Sequence, residues 1–310
     1  MDQWKEKHLL GIKALDRAEI ETILSLAQSF KGISQRDVKK VPALRGKTLV
    51  NLFFENSTRT RTSFELAAKR LSADVINFSA AGSSLSKGET IIDTIKTLEA
   101  YHPDILVVRI ASSASLSILA KHTKASIVNA GDGKNEHPTQ ALLDMFTVKE
   151  SKGTLEGLNV LIVGDVLHSR VARSNIFGFT KFGSKVTVCA PPTLIPYDFI
   201  TIGVEVTYDF DTAIKNADVV IMLRVQKERQ NSAFFPSVRE YTNRFSLTPE
   251  RLKMAKKDCM ILHPSPINWD IEISSSIKEQ VHPLILRQAE NGLAVRMAVL
   301  YLVGTRKRRI

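Results

Sequence analysis

Thr48-Leu49-Val50-Asn51-Leu52-Phe53-Phe54-Glu55-Asn56-Ser57-Thr58-Arg59-Thr60-Arg61-Thr62-Ser63-Phe64-Glu65 holds the change of period on which the fold turns. Thr48–Phe54 is a short apolar run and predicts a strand, while Thr60–Leu71 has the spacing of a helix. The pattern repeats outward. Downstream, strands are predicted over Val75–Phe78, Ile105–Val108 and Ser126–Asn129, with helices over Thr90–Tyr101 and Ser115–Lys121 between them. Upstream, Asp16 with Glu19 three residues later marks a helix start, followed by Ile20, Ile23, Leu24, Ala27 and Phe30 at helical spacing.

A second series begins at Val160–Val163. It continues with a helix over Val171–Phe182 and strands over Val186–Cys189, Val204–Tyr208, Val219–Leu223 and Met260–Leu262, with helical or turn-rich connections. Alternation of this kind predicts an α/β fold of two similar domains, each a mostly parallel sheet with helices on both faces. The helix over Pro138–Glu150 lies between the two series and is the expected connection. An apolar helix over Ile285–Val303 follows the last strand and fits either domain.

Composition narrows the class. The chain has 310 residues, 44% hydrophobic and 24% charged, with 15 Gly and 11 Pro, which excludes a small disulfide scaffold, a collagen and a disordered chain. No run approaches the roughly 20 apolar residues of a membrane span, and Met1-Asp2-Gln3-Trp4-Lys5-Glu6-Lys7 lacks the apolar core of a signal peptide, so a cytoplasmic protein without a membrane partner is expected. Cys189 and Cys259 each sit in an apolar run outside any Cys/His cluster, which predicts reduced core residues and no metal site. The net charge of +11 favours anionic partners. Arg306-Lys307-Arg308-Arg309 reads as a solvated tail; with 7% aromatic residues and no zinc-finger or RNP-type pattern, nucleic acid is not an expected partner. A dinucleotide dehydrogenase is excluded because Gly164-Asp165-Val166-Leu167-His168 is not G-x-G-x-x-G.

In open parallel sheets, ligands bind beyond the carboxyl ends of the strands. After the first quoted strand, Ser57, Thr58 and Thr60 supply hydroxyls and Arg59 a guanidinium fork at a helix N-terminus, a phosphate cradle that a simple Ser/Thr cap with surface arginines would also spell. In His137-Pro138-Thr139-Gln140 the proline suits the first helical position, which puts an imidazole able to donate to a carbonyl oxygen and a Gln oxygen able to accept from an NH2 on one side of the helix start, although an ordinary capped helix start spells the same string. Arg109, Arg170 and Arg224 each follow a predicted strand. Lys87, in Gly82-Ser83-Ser84-Leu85-Ser86-Lys87-Gly88-Glu89, belongs to a glycine-rich stretch that reads either as a cover over a neighbouring site or as an ordinary solvated loop. The two prolines of His263-Pro264-Ser265-Pro266 predict an extended backbone with free carbonyl acceptors. The inventory suits carbamoyl phosphate and a dicarboxylic amine.

At these residues the chain resembles the aspartate/ornithine carbamoyltransferase family. Its F-x-E-x-S-T-R-T-R signature appears as Phe53 to Arg61 and its H-P-x-Q motif as His137 to Gln140. The aspartate branch is the closer match, through Ser86-Lys87-Gly88-Glu89-Thr90, His168-Ser169-Arg170-Val171-Ala172-Arg173-Ser174 and Arg224-Val225-Gln226-Lys227-Glu228-Arg229. The resemblance implies an active site between the domains, with Ser57, Thr58, Arg59 and Thr60 on the phosphate and Thr60, Arg109 and His137 on the carbamoyl oxygen. It further implies Gln140 and the carbonyls of Ser265 and Pro266 on the carbamoyl NH2, and Arg170, Arg224 and Gln226 on the aspartate carboxylates. Ser83 or Ser84, together with Lys87, would enter from the adjacent subunit of a homotrimer. No cofactor is implied; regulatory chains or a dihydroorotase partner stay open. The last helix, about Ala289–Val303, would return to the first domain, giving 1–137 plus 289–310 for carbamoyl phosphate, 151–285 for aspartate, and 138–150 and 286–288 as connections. One loop departs from the family's H-P-G-P-x-N-R-G: here it is His263-Pro264-Ser265-Pro266-Ile267-Asn268-Trp269-Asp270. A transcarbamoylase for another amine such as L-ornithine is the rival reading, which the Arg224 cation in Arg224-Val225-Gln226 disfavours.

Overall fold

In chain order the first elements are α1 (Arg17–Ser34), β1 (Thr48–Phe53), α2 (Thr58–Arg70), β2 (Asp74–Ser79), α3 (Ile91–Glu99), β3 (Ile105–Ile110), α4 (Leu116–Leu119), β4 (Ser126–Asp132) and α5 (Pro138–Lys152). They come from a computed structural model that describes residues 4–79, 90–201, 203–225 and 237–306. The strands form a sheet in the order β2-β1-β3-β4, and every neighbouring pair is parallel. Central position explains their composition: Leu49, Leu52 and Ile105 to Val108 are fully shielded, as strands covered on both faces must be. Val50, Leu52, Leu106, Val108 and Ile110 share a cluster with Ile95 of α3 and Leu116 and Leu119 of α4. α1 opens with the expected capping box, in which Asp16 accepts from the Glu19 N–H and Glu19 from the Asp16 N–H, and it buries Ile20, Ile23, Leu24, Ala27 and Phe30.

The second series comprises β5 (Asn159–Val163), α6 (Arg170–Thr180), β6 (Lys185–Cys189), α7 (Asp198–Thr201), β7 (Glu205–Thr207), α8 (Phe210–Ala213), β8 (Val219–Met222), α9 (Val238–Phe245), α10 (Pro249–Met254), β9 (Met260–Leu262) and α11 (Lys278–Thr305). Its sheet runs β7-β6-β5-β8-β9, again with every pair parallel. The chain divides into two compact units, Met1–Phe146 with Glu290–Ile310, and Thr147–Ala289, so the divisions fall inside α5 and α11. Among the described residues, no helix is long and apolar enough to cross a membrane.

The chief difference from the sequence reading is α11, which begins at Lys278 rather than Ile285. Pro283 lies in the second turn, where its missing N–H removes a single helical bond, and a 3-10 turn over Ser275–Ile277 leads directly into the helix. The predicted helix over Ser115–Lys121 is one α-turn followed by a 3-10 turn over Ala120–His122.

Both sheets reverse their winding direction once. In the first unit the chain moves from β1 outward to β2 and then returns to β3 on the other side; in the second, β5 to β7 progress one way and β8 to β9 the other. Loops leaving neighbouring strands in opposite directions open a crevice at the carboxyl edge, next to β1 and β3 in one unit and β5 and β8 in the other.

Candidate active site

β1 delivers the chain to the first crevice, where Ser57 is the N-cap of α2. Its hydroxyl makes no capping hydrogen bond, so the cap function that would have explained Ser57 without a ligand is not in use. Thr58 and Arg59 are exposed in the first turn, while Thr60 is buried. Hydroxyls, a guanidinium and the positive end of a 13-residue helix therefore share one turn.

Arg109 comes from the facing strand. Sequence reading places it just beyond the strand end, but β3 runs to Ile110, and Arg109 sits opposite a bulge in β4. Val108 pairs with Asn129 and Ile110 with Asp132, so one residue of β3 faces two of β4. A bulge re-aims side chains at a strand end. Arg109 Nη1 donates to the Ala130 carbonyl at 3.2 Å, and Nε lies 3.5 Å from Glu55 Oε2. The β1–β3 register carries on past the strands, since the Phe54 N–H donates to the Arg109 carbonyl at 2.9 Å.

His137 is buried at the end of the turn after β4. Asp132 holds this turn: Oδ1 accepts from Asn129 Nδ2 at 2.9 Å and the Glu136 N–H at 3.0 Å, and Oδ2 accepts from the Ala114 N–H at 2.8 Å and Asn135 Nδ2 at 2.9 Å. Glu136 ties the turn to the N-terminal segment by accepting from the Ile12 N–H at 2.6 Å. Pro138 opens α5, and the His137 carbonyl accepts from the Gln140 N–H at 3.0 Å. One helical turn on, Gln140 Nε2 donates to Asp144 Oδ1 at 3.0 Å. Arg296, from α11, is also buried; its Nη1 donates to Ser63 Oγ at 2.8 Å and its guanidinium lies 5.2 Å from the Phe64 ring centre. Burial pulls the Arg296 pKa down to about 10, and Asp144 opposes that shift. Sequence reading did not single out Asp132, Glu136, Asp144 or Arg296. The Gln140/Asp144 spacing of four was the one legible signal.

In the second unit, Gly164 follows β5 with φ of +119°, and a Cβ there would lie 2.8 Å from Tyr241 Oη, so glycine alone fits. Asp165 Oδ1 holds His168 Nδ1 at 2.8 Å. Ser169 caps α6 by accepting from the Ala172 N–H at 3.1 Å, and Arg170, the first helical residue, is buried. Arg224 follows β8 on the facing strand and is half-buried. The next N–H, that of Val225, donates to Glu272 Oε1 at 2.8 Å. Burial, reinforced by Glu272 and Asp165, raises the Tyr241 phenol well above its usual pKa and keeps it neutral.

The loop after β9 is not the extended segment that its prolines suggested. Ser265 is left-handed, with φ of +52°, and the Ser265–Pro266 peptide is cis. The Ser265 N–H donates to His263 Nδ1 at 2.9 Å, which puts the ring proton on Nε2, 3.5 Å from Glu272 Oε2. Asp270 is also left-handed, with φ of +64°. Ser265 and Asp270 are the two positions where the family pattern has glycine, so the chain keeps the glycine-type backbone with other side chains. Ser83, Ser84, Lys87 and Gln226 lie outside the described residues.

The predicted residues divide between the units, with Ser57, Thr58, Arg59, Thr60, Arg109, His137 and Gln140 in the first and Arg170, Arg224, Ser265 and Pro266 in the second. The family comparison divides the chain near the same point in α5 but keeps residues 290–303 with the second domain. Residues 7–150 match the aspartate/ornithine carbamoyltransferase carbamoyl-P binding domain, and residues 156–303 match the Asp/Orn binding domain of the same family. The chain belongs to the aspartate/ornithine carbamoyltransferase family. It is 54% identical over 301 residues to the aspartate carbamoyltransferase catalytic subunit of Syntrophus aciditrophicus, covering 97% of this chain and 98% of that one. The same subunit from Heliobacterium modesticaldum is 54% identical over 300 residues, with 97% and 96% covered. Among solved structures, aspartate transcarbamoylase from Trypanosoma cruzi in complex with N-(phosphonacetyl)-L-aspartic acid is similar with a TM-score of 0.87 and 32% identity, covering 96% of this chain and 95% of that one. The catalytic subunit of the M. jannaschii enzyme gives a TM-score of 0.82 at 32% identity, with 96% and 97% covered.

Proposed function

We propose that this chain transfers the carbamoyl group of carbamoyl phosphate to the amino group of L-aspartate, giving N-carbamoyl-L-aspartate and phosphate, the second step of pyrimidine (UMP) synthesis. The observation that carries this reading is the uncapped N-terminus of α2, with Ser57, Thr58, Arg59 and Thr60, set beside Arg109 across β1 and β3. These residues bind the phosphate; Thr60, Arg109 and His137 bind the carbamoyl oxygen; Gln140 and the carbonyls of Ser265 and Pro266 accept from the carbamoyl NH2. Arg170, Arg224 and Gln226 hold the aspartate carboxylates. Segments 1–137 and 289–310 serve carbamoyl phosphate, and 151–285 serves aspartate. The protein works in the cytoplasm as a homotrimer in which Ser83 and Lys87 act in the neighbouring subunit's site.

The neutral amine of aspartate attacks the carbamoyl carbon, an N–C bond forms and negative charge gathers on the carbamoyl oxygen. Thr60, Arg109 and His137 stabilise that charge, the C–O bond to phosphate breaks with its electron pair leaving on phosphate, and the amine's proton passes to the departing phosphate. Preorganised charge and positioning are the largest contributions open to such a site. The ionised substrates bring about four negative charges, which Arg59, Arg109, Arg170, Arg224 and Lys87 complement.

Phosphate release from carbamoyl phosphate is measured with L-aspartate, L-ornithine and other amines. Turnover is expected with L-aspartate, with loss of about a hundredfold or more in Arg59→Ala and Lys87→Ala. Turnover with L-ornithine in place of L-aspartate, or wild-type rates in both variants, would overturn the assignment.

A further inference from the structure

We infer that Asp144 is a positioning residue that decides which end of the Gln140 amide faces the substrate, with Arg296 and Ser63 anchoring the assembly to α2. The inference rests on the reading above in which Gln140 accepts from the carbamoyl NH2. A primary amide has two ends of nearly the same shape, one accepting and one donating, so its orientation must come from its neighbours. An ionised carboxylate accepts only. Gln140 Nε2 stands 3.0 Å from Asp144 Oδ1, so the donor end is held and Oε1 is the end turned away. A flipped amide would set oxygen against carboxylate oxygen at that distance. Asp144 is itself fully shielded from solvent, and a charge so placed requires an opposite one. The buried Arg296 guanidinium supplies it.

The arrangement reaches beyond α5. Arg296 donates to Ser63 on α2, whose first turn carries the phosphate-binding residues of the reading above. Gly292, one turn before Arg296, has no room for a Cβ, which would lie 2.7 Å from Arg296 Nη1 and 3.0 Å from Leu143 Cδ2. Four residues from three helices therefore set the acceptor for the NH2 relative to the helix that holds the phosphate. Chemically, a fixed acceptor favours a carbamoyl group over an acetyl group, which has a methyl in place of the NH2, and repels an anionic oxygen at the same position.

Asp144→Asn is nearly isosteric and removes the enforced polarity, because the new amide can donate to Gln140 Oε1 as well as accept from Nε2, which lets the Gln140 NH2 turn towards the substrate's NH2. The KM for carbamoyl phosphate and the Ki of inorganic phosphate, which has no NH2, are measured in wild type, Asp144→Asn and Gln140→Ala. In Asp144→Asn a rise in KM of about tenfold is expected, with Ki for phosphate within twofold of wild type. The preference for carbamoyl phosphate over acetyl phosphate should fall in parallel. An equal loss for both ligands would mean general distortion of the helix start and would overturn the inference, as would an unchanged KM. Gln140→Ala separates the two levels. If it leaves KM unchanged, the role of Gln140 itself fails; if it raises KM tenfold while Asp144→Asn does not, only the orienting role of Asp144 fails. Should Asp144→Asn not fold, Arg296→Lys keeps the charge without the fork, and a threefold or greater rise in KM with phosphate binding retained is expected; no change would overturn the inference.

Discussion

Replacing a mid-helix glycine by alanine ordinarily stabilises a protein by about 0.5–1 kcal/mol, because alanine loses less backbone entropy in the helix. Gly292→Ala should do the opposite. The added Cβ would lie 2.7 Å from Arg296 Nη1, against an ordinary contact of 3.4 Å or more, so the guanidinium must shift by about 0.7 Å. It has little freedom to shift, since Nη1 is bonded to Ser63 Oγ at 2.8 Å and the group lies over Phe64. Losing a hydrogen bond made by a charged donor costs about 1.5–3 kcal/mol. Against the helix gain, the net is a destabilisation of about 1–2 kcal/mol. Gly32 in α1 is the internal control: a Cβ added there would meet nothing within 4 Å, so Gly32→Ala should stabilise by about 0.5–1 kcal/mol. The chain has two tryptophans, Trp4 in the first unit and Trp269 in the second, so urea unfolding followed by fluorescence in a Trp269→Phe background reports on the first unit. With a slope of about 2 kcal/mol/M, the midpoint should fall by about 0.5–1 M in Gly292→Ala and rise slightly in Gly32→Ala. In a Ser63→Ala background the cost of Gly292→Ala should shrink by half or more. Stabilisation by Gly292→Ala matching that of Gly32→Ala would refute the packing argument.

Three further predictions rest on separate observations. His8 Nδ1 accepts from the Ile127 N–H at 3.0 Å, and burial, followed by Lys7 and Arg306, lowers its pKa from 6.5 to about 4. The unfolded chain therefore binds a proton that the native state refuses between those values, and stability should fall as pH drops from about 6.5 to about 4. The ring is only half-buried, so solvent screening leaves about 1 kcal/mol, which His8→Asn, with an acceptor but no titration, should remove from the pH dependence of the urea midpoint. Glu272 accepts from the Val225 N–H at 2.8 Å and Asn268 Nδ2 at 2.7 Å, so Glu272→Ala strands buried donors and should destabilise the second unit by about 3 kcal/mol, read from Trp269 fluorescence; a loss under about 1 kcal/mol would contradict this. At Ser265, φ of +52° costs a side chain about 1–2 kcal/mol, so Ser265→Gly should leave stability equal or raise it by up to about 1 kcal/mol, whereas a clear loss would assign the Ser265 side chain a role of its own.

Much of this architecture was written locally. Short apolar runs alternating with helical spacing were enough for two parallel sheets flanked by helices, and the segments that follow strands were enough to single out Ser57 to Thr60, Arg170 and Arg224 as candidates. The helices in the helical or turn-rich connections of the second series were not placed, although α9 and α10 carry their own signals, Ser237 with Glu240 and Thr248-Pro249. Boundaries were weaker. The apolar run from Ile285 marked only the later part of a helix that starts at Lys278, and Pro264 and Pro266 suggested an extended loop where Ser265 adopts a left-handed turn.

What local pattern could not carry was the support behind those residues. Nothing in the neighbourhood of Arg296 announces that it meets Ser63 and Phe64, some 230 positions earlier, or that Glu136 binds the Ile12 N–H. Period, capping and turn chemistry act over a few residues and so can be read along the chain. The orientation of an amide, the burial of a charge and the space left beside a glycine depend on atoms brought together by the sheet order and by the return of α11 to the first unit, and those distances exist only once the chain has folded.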